Sequence, residues 1–175
     1  PGWDRMTMQE GLRTYAGRDV EELNEKELQE VLENEGIELD GGYNRGMAVA
    51  ELFEEEVEDE ITDPVFVIDH PADTTPLCKD HRSKVGNIER FEVLASGIEL
   101  ADGYSELNDP IQQGEHFAKQ AQRLEEGDEE AHQMDEEFIE ALGYGMPPSG
   151  GVGIGMDRLA MFASDSQSIK EVLPF

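Results

Sequence analysis

Three carboxylates and one arginine carry the chemistry that this sequence offers. Glu92 and Glu99 lie in the run Glu89-Arg90-Phe91-Glu92-Val93-Leu94-Ala95-Ser96-Gly97-Ile98-Glu99-Leu100. The run alternates apolar and other residues on both sides of Ser96-Gly97, which predicts a hairpin with a two-residue turn. In that register Ala95 faces Ile98, Leu94 faces Glu99, Val93 faces Leu100 and Glu92 faces Ala101. Phe91, Val93, Ile98 and Leu100 form one apolar face. Glu92 and Glu99 fall on the other as diagonal neighbours, roughly 7–8 Å apart at the backbone. Carboxylates at that spacing can bridge a divalent cation or a metal–phosphate complex. Glu106 follows in Tyr104-Ser105-Glu106-Leu107-Asn108-Asp109, so three acids are expected to converge on one face.

The arginine is Arg158, in Gly150-Gly151-Val152-Gly153-Ile154-Gly155-Met156-Asp157-Arg158-Leu159-Ala160-Met161-Phe162. Val152, Ile154 and Met156 alternate with Gly151, Gly153 and Gly155, so one face of the predicted strand is apolar and expected to reach a core. The other face carries no side chains. Glycine within a strand marks close approach by a ligand or another backbone, and a flat heterocycle could lie on the bare strip. Asp157 is expected to cap the following helix, with Leu159 and Phe162 facing inward. Arg158, in the first turn, would stand beside the strip and could clamp a phosphate. The segment contains neither GxxxxGK[ST] nor GxGxxG, so the P-loop and the dinucleotide fingerprint do not apply.

These residues need elements to hold them. Asp19 is predicted to cap a helix running to about Glu35, with Val20, Leu23, Leu28, Val31 and Leu32 as its apolar stripe and Gly36 at its stop. Gly41-Gly42 reads as a loop. A second helix is expected over about 45–61, with Val49, Phe53, Val57 and Ile61 on one side. Asp63-Pro64 ends it, and Val65-Phe66-Val67-Ile68-Asp69 fits a short buried strand. Residues 70–86 read as irregular and hold the densest basic patch, Lys79, His81, Arg82 and Lys84. Asn108-Asp109-Pro110 starts a helix to about Glu126, Gly127-Asp128 interrupts, and another helix covers about 135–143. Residues 3–13 give no clear signal. The resulting fold class is α+β: an antiparallel sheet of hairpin, glycine strand and 65–69 strand, with helices on one face.

The chain has 175 residues, one domain's worth, and is long enough to bury a core. It contains 42 acidic and 13 basic side chains, for a net charge of −29. Periodic apolar faces persist throughout, which argues against disorder. Adaptation to a salt-rich cytoplasm accounts for the charge, because at ~1 M salt the Debye length is only about 3 Å and repulsion among exposed acids is screened. No apolar run is long enough to span a membrane, and no signal peptide is visible. Cys78 is the single cysteine, which excludes an intrachain disulfide and fits a reducing cytoplasm. The histidines His70, His81, His116 and His132 lack zinc-ligand spacing and are mostly expected at the surface.

The glycine strand followed by Asp157-Arg158 opening a helix resembles motif 3 of the class II aminoacyl-tRNA synthetases. Three further stretches carry the subfamily: His70-Pro71 through Thr75-Pro76-Leu77-Cys78-Lys79-Asp80-His81-Arg82-Ser83-Lys84; Glu89-Arg90-Phe91-Glu92; and Gly103-Tyr104-Ser105-Glu106-Leu107-Asn108-Asp109. In order and spacing they resemble class II lysyl-tRNA synthetase from about Trp3 to Phe175. The resemblance implies that Glu92 and Glu99 hold magnesium on ATP. It implies a nucleotide site of Glu99, Leu100, Gly155, Met156, Asp157 and Arg158, with Arg158 as the catalytic arginine on the phosphates. It implies that Glu106 receives the lysine ε-ammonium, with Asp102, Tyr104 and Gly151 in the same pocket. The family usually has asparagine at the position of Asp102, where an extra charge could tighten cation binding.

Motif 1, motif 2 and an anticodon-binding barrel are expected ahead of Pro1. Residues 1–175 are then a single domain, the C-terminal portion of a class II catalytic domain, and the isolated chain should be weakly active or inactive. The implied partners are ATP, lysine and, through a full-length homodimer, tRNA, without a membrane. Two alternatives stand beside this reading: the paralogous lysyltransferase acting on elongation factor P, and a non-catalytic synthetase-derived interaction module. Gly153 and the 76–84 segment favour the tRNA enzyme. The upstream reading frame separates the three.

Overall fold

The computed structural model describes residues 2–125, 127–128 and 131–173. A five-stranded sheet organises them, in the order β1 (Asp4–Thr7), β2 (Val65–Ile68), β3 (Arg90–Ala95), β4 (Ile98–Ser105), β5 (Gly150–Ile154). The hairpin, the glycine strand and the 65–68 strand pair antiparallel as expected. The silent N-terminal stretch supplies a fifth strand parallel to β2, so the sheet is mixed. Four residues with no alternating pattern give no period to read; β1 is held by its partner strand.

One face of β1–β3 packs under α1 (Met8–Gly11), α2 (Glu25–Glu35) and α3 (Arg45–Val57). Val65, Val67 and Leu94 from the sheet join Leu12, Leu28, Leu32, Leu52 and Phe53 in the main core. The predicted helix start at Asp19 moves to Glu25. Asn24 accepts from the Lys26 and Glu27 amides while the Glu27 side chain bonds back to the Asn24 amide, a complete capping box. Asp19 is instead bonded by the Arg13 guanidinium. The second helix ends at Val57 and tightens into a 3₁₀ turn over Glu58–Glu60.

The opposite face carries a smaller cluster of Val93, Ala95, Leu100 and Ala101 with Phe66, Phe91 and Ile98. Beyond the hairpin come α4 (Pro110–Glu125), with Pro110 at its first position, and α5 (Glu136–Gly143). The α4 end expected near Glu126 lies outside the described residues. α6 (Met156–Ser164) follows β5 directly. The apolar side of β5 does not reach a core: Val152, Ile154 and Met156 are 59%, 53% and 67% exposed, and Leu159 and Phe162 also meet solvent. Among the sheet strands α6 packs chiefly against β4, and one strand does not cover both helix and strand faces. No described helix is long and apolar enough to cross a membrane.

Candidate active site

The hairpin turns at Ser96-Gly97, with φ of 53° and 67°, the two positive values that a type I′ turn requires. Its amides are tied to the Thr62 and Ile61 carbonyls. Ala95–Ile98 and Leu94–Glu99 pair as expected, and then a bulge intervenes. Val93 pairs with Ala101 and Glu92 with Asp102, rather than with Leu100 and Ala101. Leu100 is the extra residue, and its carbonyl accepts the Gly155 amide at 3.0 Å. One inserted residue reverses the side of everything that follows. Asp102 and Tyr104 therefore join the face that holds Arg90, Glu92 and Glu99. In an unbroken hairpin they would share the apolar face.

β5 completes this surface. Tyr104 pairs with Gly151 and Asp102 with Gly153, so two bare glycines continue the rows of Arg90–Tyr104 and Glu92–Asp102. Val152 and Ile154 fall on the other face, opposite Gly103 and Ala101. Glu106, just past the end of β4, leans over Gly151: a Cβ there would lie 2.6 Å from Glu106 Oε1. Its amide is fixed by the Ser149 carbonyl, and Leu107 by Leu77. Glu106 also walls a cleft of about 400 Å³ shared with Lys79, Arg82, Glu89 and Ser149.

Arg158 lies over Gly155, with its Cδ 3.4 Å from where a Cβ would be. Its Nη1 donates to the Glu99 carboxylate at 2.8 Å and to the Glu99 carbonyl at 3.1 Å. The residue ahead of the helix is Gly155 and no side chain caps it. Asp157 stands inside the first turn, because the Leu159 amide already bonds the Gly155 carbonyl. The four groups at 92, 99, 106 and 158 thus line one open face, with Arg158 paired to Glu99 and Glu106 over Gly151.

Three residues at this site were given no role by sequence pattern. Arg90 forks onto Asp102 at 3.0 and 3.2 Å and lies 2.8 Å from Glu92. Fully buried His70 places Nε2 3.3 Å from Glu92 Oε2, without a well-aligned hydrogen bond. The expectation of surface histidines fails here and holds only for His132; His81 and His116 are partly covered. Burial opposes ionisation of Glu92, but His70 and Arg90 outweigh it and hold the carboxyl below its ordinary value. Burial likewise works against the Arg90 charge, and Asp102 with Glu92 more than restores it. Glu58, half-buried past the end of α3, is pushed up to about 7 by burial and then by Glu92, Glu54 and Glu99. Tyr104 is raised by burial first, then by Glu106 and Asp102. Spacing along one element could not reveal Glu58 or His70, since both reach the site from other parts of the chain.

The basic patch is largely spent internally. Arg82 bonds Glu89, Lys84 and His81 pair with Asp69, and Lys79 donates to Asn108. Among the described residues no three His, Cys, Asp or Glu side chains converge as a metal cage. Glu92 and Glu99 are a pair of hard oxygen donors, which suits a cation that takes most of its ligands from substrate phosphates and water.

The profile described as tRNA synthetases class II (D, K and N) matches residues 1–175. The chain is 45% identical over 172 residues to a lysine–tRNA ligase of Saccharolobus solfataricus, covering 98% of this chain and 35% of that protein. It is 47% identical over 175 residues to a lysine–tRNA ligase of Thermotoga maritima, covering 100% of this chain and 34% of the relative. Lysine–tRNA ligase 2 of Methanosarcina mazei is 45% identical over 174 residues, covering 99% and 34% respectively. The chain thus spans about a third of the length of these relatives.

Proposed function

The chain belongs to the class II tRNA synthetases of the D, K and N group, and on that premise we propose that it is the part of a lysine–tRNA ligase that binds lysine and ATP for formation of lysyl-adenylate. The observation that carries the reading is the position of Glu106 directly over Gly151, on the same sheet face as Glu92, Asp102 and the Glu99–Arg158 pair.

A carboxylate over bare backbone leaves room for an extended substrate and meets an ammonium at its end. The charge-assisted bond selects against side chains without that charge. Asp102, Tyr104 and Gly151 complete the lysine pocket. Glu99, Leu100, Gly155, Met156, Asp157 and Arg158 form the nucleotide site, with the base on the strip that Gly153 and Gly155 leave bare. Arg158 exchanges Glu99 for phosphate oxygens when ATP binds. It then stabilises the charge that develops as the lysine carboxylate attacks the α-phosphorus and pyrophosphate leaves. Glu99, once released from Arg158, and Glu92 would be the carboxylates to hold magnesium, Glu92 by loosening a contact to Arg90 or His70, and the ion would supply further neutralisation of the phosphates. The protein's contribution is position and electrostatics rather than covalent chemistry.

The finer parts of the reading belong to the same proposal: a full-length homodimer that passes lysine to tRNA, in a reducing and salt-rich cytoplasm. A free, buried Cys78 and the net charge of −29 support the last two. Motif 2 is absent from residues 1–175, so this stretch alone should give poor lysine-dependent ATP–pyrophosphate exchange. Robust exchange by the 175 residues would refute the requirement for motif 2. In the full-length protein as encoded, Glu106→Gln should raise the lysine KM roughly 10- to 150-fold, the value of a charged hydrogen bond, with the ATP KM unchanged. An unaltered lysine KM would refute the assignment of Glu106.

A further inference from the structure

Arg90 has no role in the scheme above, yet it is the most heavily bonded side chain at the site. It opens β3 opposite Tyr104. Its Nε donates to Asp102 Oδ1 at 3.0 Å and its Nη2 to Oδ2 at 3.2 Å. The same Nη2 lies 2.8 Å from Glu92 Oε1. The side chains of Arg90, Glu92 and Asp102 are 19%, 11% and 30% exposed, so water screens this group only in part.

The sheet register makes a cation here necessary. Glu92 and Asp102 are directly opposed on adjacent strands, about 5 Å apart at Cβ, where like charges repel. A planar guanidinium between them converts that repulsion into a bridged pair, and its fork matches carboxylate geometry as an ammonium cannot. Glu92 then meets Arg90 at Oε1 and has the His70 ring 3.3 Å from Oε2. Asp102 is held at both oxygens. Glu106 differs: among the described residues its carboxylate has no ion-pair partner.

Resting on the lysine-activating reading, we propose that Arg90 is a positioning residue that straps Asp102 to Glu92, spends the Asp102 charge inside the protein, and leaves Glu106 as the carboxylate offered to the substrate ammonium. Asp102 shapes the pocket but adds no free negative charge to it. The strap also joins the lysine pocket to the magnesium side of the nucleotide site, since one guanidinium touches a residue of each.

The test uses the full-length protein as encoded, with the variants Arg90→Met, Arg90→Lys, Asp102→Asn and the Arg90→Met/Asp102→Asn double variant. Thermal melts in EDTA read the strap without any substrate. Arg90→Met should lower the melting midpoint by several degrees, and the double variant should recover part of that loss because no unpaired Asp102 remains. Additive single effects would overturn the strap. Lysine-dependent ATP–pyrophosphate exchange reads the second half. Asp102→Asn should change the lysine KM by no more than about threefold. Arg90→Met should lower the lysine KM about tenfold by offering the ammonium a second, unpaired carboxylate, and the Arg90→Met/Asp102→Asn double variant, which lacks that carboxylate, should lose the gain. Arg90→Lys, which keeps the charge and loses the fork, should fall between Arg90→Met and the wild type. A 30-fold rise for Asp102→Asn would show the charge to be presented to substrate and would overturn the proposal. Should Arg90→Met fail to fold, Arg90→Lys and Asp102→Asn still decide between these outcomes. Wild-type protein without lysine-dependent exchange would sink the proposed function instead, and the melts would still decide the strap.

Discussion

Gly151 and Gly153 sit on the same strand and the same face, yet substitution should separate them sharply. At Gly151 an added methyl would lie 2.6 Å from Glu106 Oε1, whereas at Gly153 its nearest neighbour is the Asp102 carbonyl at 3.8 Å, an ordinary contact. The Glu106 end is a flexible side chain, so Gly151→Ala should fold. The carboxylate must retreat by roughly 0.8 Å to reach a contact of 3.4 Å, and a displacement of that size forfeits a hydrogen bond whose preferred length spans only a few tenths of an ångström. Losing a charge-assisted bond costs about 1.5–3 kcal/mol. Lysine kcat/KM in the full-length protein should therefore fall roughly 10- to 150-fold for Gly151→Ala, with the ATP KM and the melting midpoint nearly unchanged. Gly153→Ala should fold and keep the lysine KM within about threefold of wild type, since no protein atom crowds it, while raising the ATP KM because its methyl stands on the strip assigned to the base. Steady-state ATP–pyrophosphate exchange at varied lysine measures both. Equal effects of the two substitutions, or a Gly151→Ala protein with normal lysine kinetics, would refute the placement of Glu106 against the substrate ammonium.

Glu58→Gln should stabilise the protein increasingly as pH rises. The folded-state carboxyl is raised to about 7 from 4.5, so native stability relative to the glutamine variant is full below about pH 4.5 and lost as pH climbs through 7. Melts in EDTA from pH 4 to 8 should show a gap opening to about 1–2 kcal/mol, after discounting for partial solvent screening; a constant gap would count against the buried acid cluster. The melting midpoint of the wild type should rise by several degrees between low and molar KCl, because salt screens a net charge of −29. A flat series would remove the salt-adaptation reading. Cys78, pushed up to about 12 chiefly by burial, is about one ten-thousandth thiolate at pH 8. It should resist a disulfide exchange reagent until the protein is denatured, and rapid native labelling would show that its burial is lost by local opening.

Much of this molecule was legible from local pattern. The helices ending at Gly36 and starting at Pro110 follow turn and cap chemistry that acts over a few residues. The buried 65–68 strand, the Ser96-Gly97 turn and the bare strip of β5 follow from apolar periodicity and from glycine's missing side chain. Caps set by competition were harder to read. Asp19 and Asn24 both suit a helix start; Asn24 forms the capping box while Asp19 is bonded by Arg13. The inward facing of Leu159 and Phe162 also failed, because amphipathicity specifies a face to be covered without supplying a cover.

By itself the sequence determined which side chains are available for chemistry: three acids on a hairpin and its flank, a glycine strip on a third strand, and an arginine at a helix start. Only the tertiary structure decided that they share a surface. Alternation assigns sides correctly as long as the pairing register is unbroken, and here it breaks at Leu100, whose carbonyl is bonded by Gly155 from another strand's end. That single added residue carries Asp102 and Tyr104 across the sheet to Glu92 and brings the Arg90 guanidinium between two opposed carboxylates. The physical reason is that register is set by hydrogen bonds between segments more than fifty residues apart, and no window of the chain contains both partners.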